Sequence, residues 1–348
     1  MSTLAPAHHT LAWFGHYGLP DAAPGISTPA GAPAAPDVPN AFWLAFSPSG
    51  RTLYAVTNVP NATVHAFAVQ DDGGLVERNR RPTGGDGAVH LTVAPSGDRL
   101  VVCHHDSSTV SVIMLMDDES LGPMGQLVRH EGSGPVPHSQ DVARPHMALA
   151  DPTGQRLLVA DKGNDSVYVY LMLDSRLVHQ RRVVVGSGAG PRHAVFHPSG
   201  EFLYVVNELN STVTTLGYEP ADGSLWVIDF RSTLPPGFDQ WNAPSGVAMS
   251  PDGRLLYVAN RGHESIAVFR ISPGGRLSAA THHAVHPESG VHSLPWALEL
   301  GPDGRLHVAN QMSATAQVYA TDPVTGALTL LEERPMAGPV ASIALRHG

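Results

Sequence analysis

The sequence predicts an all-β chain folded as a seven-bladed β-propeller of four-stranded antiparallel blades. Three observations predict it: a strand-rich repeat of about fifty residues, a Pro-x-Gly turn at a fixed place in every copy, and strand-like segments at both chain ends. The copies are SPSGRTLYAVTN from Ser47, APSGDRLVVCHH from Ala94, DPTGQRLLVADK from Asp151, HPSGEFLYVVNE from His197, SPDGRLLYVANR from Ser250 and GPDGRLHVANQ from Gly301. Successive copies start 47, 57, 46, 53 and 51 residues apart. That period, filled with strands, suits blades and not a helical solenoid.

Each copy reads alike. A short apolar segment such as AVFHP is the first, inner strand. The turn follows, with Pro presetting φ and Gly accepting a positive φ. A second strand such as EFLYVVNE and a third such as STVTTLGY come next. Asp-Gly or Gly-Gly pairs (Asp72-Gly73, Asp222-Gly223, Gly274-Gly275) then turn the chain toward an outer strand. LAWFGHYG near the start and PVASIALRH at the end supply a seventh blade from both termini, which closes the ring and removes its open edge. The six prolines between Pro20 and Pro39 mark residues 20–39 as an irregular loop of that blade, with a disordered linker as the alternative.

Composition sets the boundaries. With 42% hydrophobic residues, the 348-residue chain can bury a large core, and it is expected to form one domain, 1–348. A net charge of −10 argues against nucleic acid as a partner, since phosphate neutralisation needs a basic face. Cys103 is the single cysteine, no apolar run approaches membrane-spanning length, and MSTLAPAHHT has no apolar signal core. A cytoplasmic protein without a membrane partner is therefore expected; the oligomeric state is not legible.

Counting from the turn proline locates a rim. The residue six before it opens the inner strand: Phe42, Val89, His146, Arg192, Ser245 and Trp296. The residue ten after it closes the second strand: Asn58, His105, Lys162, Glu208 and Arg261, with Gln311 after a one-residue deletion. Both positions lie at the end of the hairpin away from the turn, so a ring gathers them at one mouth of its channel. Polar strand ends are ordinarily just solvated, but His146, Arg192, Glu208 and Arg261 converge from three successive blades. Two guanidiniums can bind a carboxylate or phosphate, or steady an oxyanion, while a carboxylate and an imidazole supply acid–base chemistry. An ion-pair network stapling the blades is the purely structural alternative.

Three stretches resemble one family. GPRHAVFHPSGEFLYVVNELNSTVTT, RPHMALADPTGQRLLVADKGNDSVYVY and SGVAMSPDGRLLYVANRGHESIAVF are similar to the lactonase family of seven-bladed propellers, which includes a bacterial type of 6-phosphogluconolactonase and the fungal carboxy-muconate lactonizing enzyme. The resemblance implies an active-site histidine at His146, the arginine of P-R-H at Arg192, the glutamate of V-N-E at Glu208 and the arginine of N-R-G-H at Arg261. Lys162, His105, Gln311 and Trp296 are the expected substrate-binding neighbours, joined by His193, which should pack behind Arg192. Arg144 and Trp296 depart from the family pattern: Arg144 replaces a histidine, and Trp296 replaces an arginine.

Other motifs fail on context. VVVGSGAGPRH has Pro191 in place of the third glycine of a dinucleotide fingerprint, and a strand follows it. No G-x-S-x-G elbow, H-E-x-x-H or paired-Cys site occurs. The run His282, His283, His286 and His292 is read as a solvated loop before it is read as a metal site. The expectation is a lactone hydrolase without metal or organic cofactor, acting on a small anionic lactone or carboxylate. The alternatives are a cycloisomerase closing a carboxylated muconate and a non-catalytic binding scaffold.

Overall fold

The computed structural model describes residues 11–18, 25–28, 31–35, 37–285 and 292–346. It contains seven sheets of four antiparallel strands. Six blades run continuously in the chain, over residues 41–82, 88–129, 145–184, 191–232, 243–284 and 295–335. In the seventh, Val340–Arg346 is the inner strand and pairs with Leu11–His16, followed by Ile26–Ser27 and Pro33–Ala35. Residues 20–39, expected as an irregular loop, thus hold two short strands. Pro33 is tolerated because it opens an outermost strand, where a missing N–H removes no ladder bond that matters.

Each turn closes as its sequence requires. Gly200 lies at φ 76 and donates its N–H to the His197 carbonyl at 2.8 Å; Gly154 (φ 69) and Gly253 (φ 72) repeat this geometry. The second strands are buried on both faces, which is why they read as continuous apolar runs and not as strict alternation. Leu203 and Val205 pack toward the third blade, whereas Tyr204 and Val206 pack toward the fifth. Among the described residues the hydrophobic core is therefore divided into seven layers, one between each pair of neighbouring blades, with a small eighth cluster of Phe42, Val89 and Ala341 around the channel. The last of the seven layers comes when Trp13, Ile26 and Ala344 of the closing blade meet Leu44, Leu53 and Phe67 of the first.

One irregularity recurs in every blade. The inner strand slips register opposite its partner at the position six before the turn proline: between Ala41 and Trp43, Ala88 and His90, Pro145 and Met147, Pro191 and His193, Pro244 and Val247, and Pro295 and Ala297. The closing blade does the same around Ala341. A bulge re-aims one side chain out of the pleat, and here it turns Phe42, Val89, His146, Arg192 and Trp296 to the channel mouth.

The closing blade yields a stability test. A Cβ on Gly15 would run into the Ala41 carbonyl oxygen and the Ser342 hydroxyl, whereas one on Gly274 meets nothing within 4 Å. Gly15→Ala should therefore cost about 2–4 kcal/mol in denaturant unfolding, and Gly274→Ala should stay within about 0.5 kcal/mol of the parent.

Candidate functional site

The bulges meet a second ring of positions, the residues that follow the second strands. Lys162 donates its N–H to the Arg144 carbonyl, Glu208 to Gly190 and His105 to Gly87, so each side chain starts from the same backbone slot beside a bulge. Together the two rings line a pocket of about 260 Å³ at the channel mouth. His146, Arg192, Glu208 and Arg261 all line it, with Lys162, His105 and Trp296.

Glu208 is the centre of the charged half. Its Oε1 accepts from Lys162 Nζ at 2.6 Å, and its Oε2 lies 3.0 Å from Arg261 Nη2 and 2.8 Å from Arg192 Nε. Arg261 is fixed further by Nε donating to the Ala243 carbonyl at 2.8 Å. Burial alone would raise the Glu208 carboxyl, but Arg261, Lys162 and Arg192 outweigh it and hold it far below the usual carboxylate range. Arg192 is 1% exposed. Burial and the neighbouring Arg261 push its guanidinium down to about 9, against Glu208, so it stays charged at neutral pH.

The imidazoles behave differently. Burial first, and then Arg192, push His146 well below its ordinary value, so it is neutral at pH 7. Its Nδ1 is buried without a hydrogen-bond partner, leaving Nε2 as the nitrogen open to the pocket. His193 does not line the pocket. It accepts from Arg192 Nη1 at 3.1 Å and sits deeper, against His90, His146 and Trp43. Gln311 keeps the backbone slot, bonding Leu294, yet its side chain is not among the pocket walls. Ser245 is also outside, its hydroxyl donating to the Pro295 carbonyl.

Beyond that cluster the lining carries the Asp106 carboxylate, 2.8 Å from His105 Nδ1, and an uncharged aromatic wall. Trp296 lies under Arg261, with the guanidinium carbon 4.3 Å from its ring centre, and 5.3 Å from Arg192. Phe42 contacts Trp296 edge-on at 6.1 Å and Tyr17 at 5.1 Å. Tyr17 was not found in the sequence because the closing blade has no Pro-x-Gly turn to count from. Aligning LAWFGHYG with the second strands would have placed it beside Lys162 and Glu208.

Acidic residues outside the pocket hold its loops, and sequence reasoning gave them no role. Asp165 accepts from Gly188 N (2.6 Å), Gly190 N (2.8 Å) and Gln140 Nε2 (2.6 Å), fixing the chain that enters Arg192. Glu264, at the same place two blades on, accepts from Ser293 N (2.5 Å) and Leu294 N (2.9 Å), fixing the entry to Trp296. Their signal was an acidic residue thirteen after the turn proline. Among the described residues no group of His, Cys, Asp or Glu is placed to hold a metal ion. His282 donates to the Thr233 carbonyl, and His286 lies outside the described residues.

Comparison with known proteins follows the same lines. A family described as "Lactonase, 7-bladed beta-propeller" matches residues 29–344. The chain is similar to a 6-phosphogluconolactonase of Bacillus subtilis, 29% identical over 84% of this chain and 83% of that protein. A probable 6-phosphogluconolactonase of Arthroderma benhamiae is 31% identical over 82% of this chain and 75% of that one. Among solved structures, the periplasmic gluconolactonase of Pseudomonas aeruginosa superposes with a TM-score of 0.87 at 25% identity, covering 97% of this chain and 99% of that one.

The charge arrangement predicts how acid acts. Because the Glu208 carboxyl is lowered in the folded state, its stabilisation is complete above the unfolded value of about 4.3 and is lost as pH falls through the lowered one. Glu208→Gln should lower stability at pH 7 by about 3–5 kcal/mol, since it strands buried cations. Unfolding curves of the two proteins should converge as pH drops below about 4.

Proposed function

The chain belongs to the lactonase family of seven-bladed β-propellers, and on that premise we propose that it hydrolyses a sugar lactone of the 6-phosphogluconolactone type. Relatives named for that activity favour it over closure of a carboxylated muconate and over a non-catalytic scaffold. The observation that carries the reading is the pairing of two charged guanidiniums with a neutral imidazole at one pocket.

In the proposed reaction, water attacks the lactone carbonyl carbon and His146 Nε2 takes its proton. Arg192 and Arg261 face the oxygen that becomes negative in the tetrahedral intermediate. Collapse breaks the ring C–O bond, and the departing alkoxide takes the proton back from the imidazolium, giving the hydroxy acid. Glu208 is assigned the positioning of Lys162, Arg192 and Arg261; with both oxygens engaged and its proton affinity depressed, it makes a poor base. A cytoplasmic location, supported by one unpaired buried cysteine, is part of the same proposal.

His146→Gln should lower kcat on 6-phosphoglucono-δ-lactone by about 10²–10⁴-fold. A base must be unprotonated, and His146 is lowered, so the acid limb of kcat/KM should lie below pH 6.5. That limb should vanish in His146→Gln. If it persists, the proton goes to a group other than His146.

A further inference from the structure

We propose that Arg144 reads an anionic substituent of the substrate, the phosphate of a phosphorylated sugar lactone, at the rim between the second and third blades; this rests on the lactone reading above. Arg144 lies two residues before the bulge of His146, and its backbone is fixed at both ends. Its N–H donates to Asp161 Oδ1 at 2.7 Å, and its carbonyl accepts from Lys162 at 3.0 Å. Its guanidinium is not fixed in the same way. Nη1 stands 3.4 Å from His105 Nδ1, Nη2 stands 3.5 Å from the His138 carbonyl, and Nε is buried with no partner.

The contact with His105 is frustrated. His105 Nδ1 is also 2.8 Å from Asp106 Oδ1, a carboxylate oxygen that can only accept. A ring nitrogen that donates to Asp106 cannot also accept from Arg144. Arg144 forms no ion pair among the described residues, whereas Lys162, Arg192 and Arg261 all share Glu208. His105 and Asp106 both line the pocket; Arg144 stands just behind that wall, 3.4 Å from His105, and its charge is felt by the Asp106 carboxylate without forming an ion pair with it. Across the ring the wall is Trp296, Phe42 and Tyr17, which offers a surface for a ring but no charge. A phosphate on one arm of the substrate therefore finds its unpaired cation on the Arg144 side, where the planar fork can bind two oxygens at once.

The test compares Arg144→Gln and Arg144→Lys with the parent on 6-phosphoglucono-δ-lactone and on glucono-δ-lactone. Arg144→Gln should lower kcat/KM for the phosphorylated lactone on the order of 10- to 100-fold, carried by KM. The unphosphorylated lactone should lose far less, and Lys should recover part of the difference. An equal loss on both lactones, or no loss on the phosphorylated one, overturns the assignment. Calorimetric titration with 6-phosphogluconate and gluconate decides it independently of turnover. The parent should prefer the phosphorylated acid and Arg144→Gln should lose that preference; a parent without the preference overturns the assignment. A parent that opens neither lactone overturns the hydrolase reading alone.

Discussion

A single carboxylate makes the channel mouth possible. Lys162, Arg192 and Arg261 come from three successive blades and converge on Glu208. Like charges a few ångströms apart repel by about 4 kcal/mol at the effective dielectric of a protein edge, and burial adds a desolvation cost for each. Glu208 offsets both by giving one oxygen to the lysine and the other to the two arginines. It neutralises one charge of three. The remainder is a locally positive pocket in a protein whose net charge is −10, which is how such a chain can attract an anion.

The backbone supplies the convergence. Every blade carries the same bulge and the same residue slot after its second strand, so chemistry changes from blade to blade while geometry does not. The slots are held from outside. Asp165 and Glu264 reach from the turn of one blade to the entering chain of the next, so a bulge residue is positioned by its predecessor as well as by its own sheet. Rim residues on such a frame need little reorganisation to meet a developing charge, the condition under which electrostatic stabilisation is strongest.

Much of this was legible in the sequence, for physical reasons. Proline and glycine at fixed offsets fix the turns, and counting from them places His146, Arg192, Glu208 and Arg261 in one pocket. What counting cannot reach is the direction of a side chain. Gln311 occupies the right slot and faces elsewhere, and His193, one residue past a bulge, drops below the rim. Nor does spacing reveal whether a carboxylate is free. Glu208 and His146 are both candidates for a base in the sequence, and only the structure shows both Glu208 oxygens taken up by ion pairs. Tyr17 and the strands within residues 20–39 escaped because the closing blade lacks the turn that marks the other six.

Trp296 shows what an aromatic ring can do where a charge would fail. An anion placed against Arg261 would hold the guanidinium still but would spend its charge. The indole face holds it through the ring quadrupole, an attraction on the order of 0.5–2 kcal/mol, and leaves the positive potential available to the pocket. Glu208 and Trp296 thus restrain Arg261 by opposite means, one by partial neutralisation and one without any. In the proposed reaction the carbonyl oxygen is neutral in the substrate and negative in the intermediate, so a cation that is held but not neutralised favours the second state over the first. That difference, and not tighter binding of the lactone itself, is what lowers a barrier.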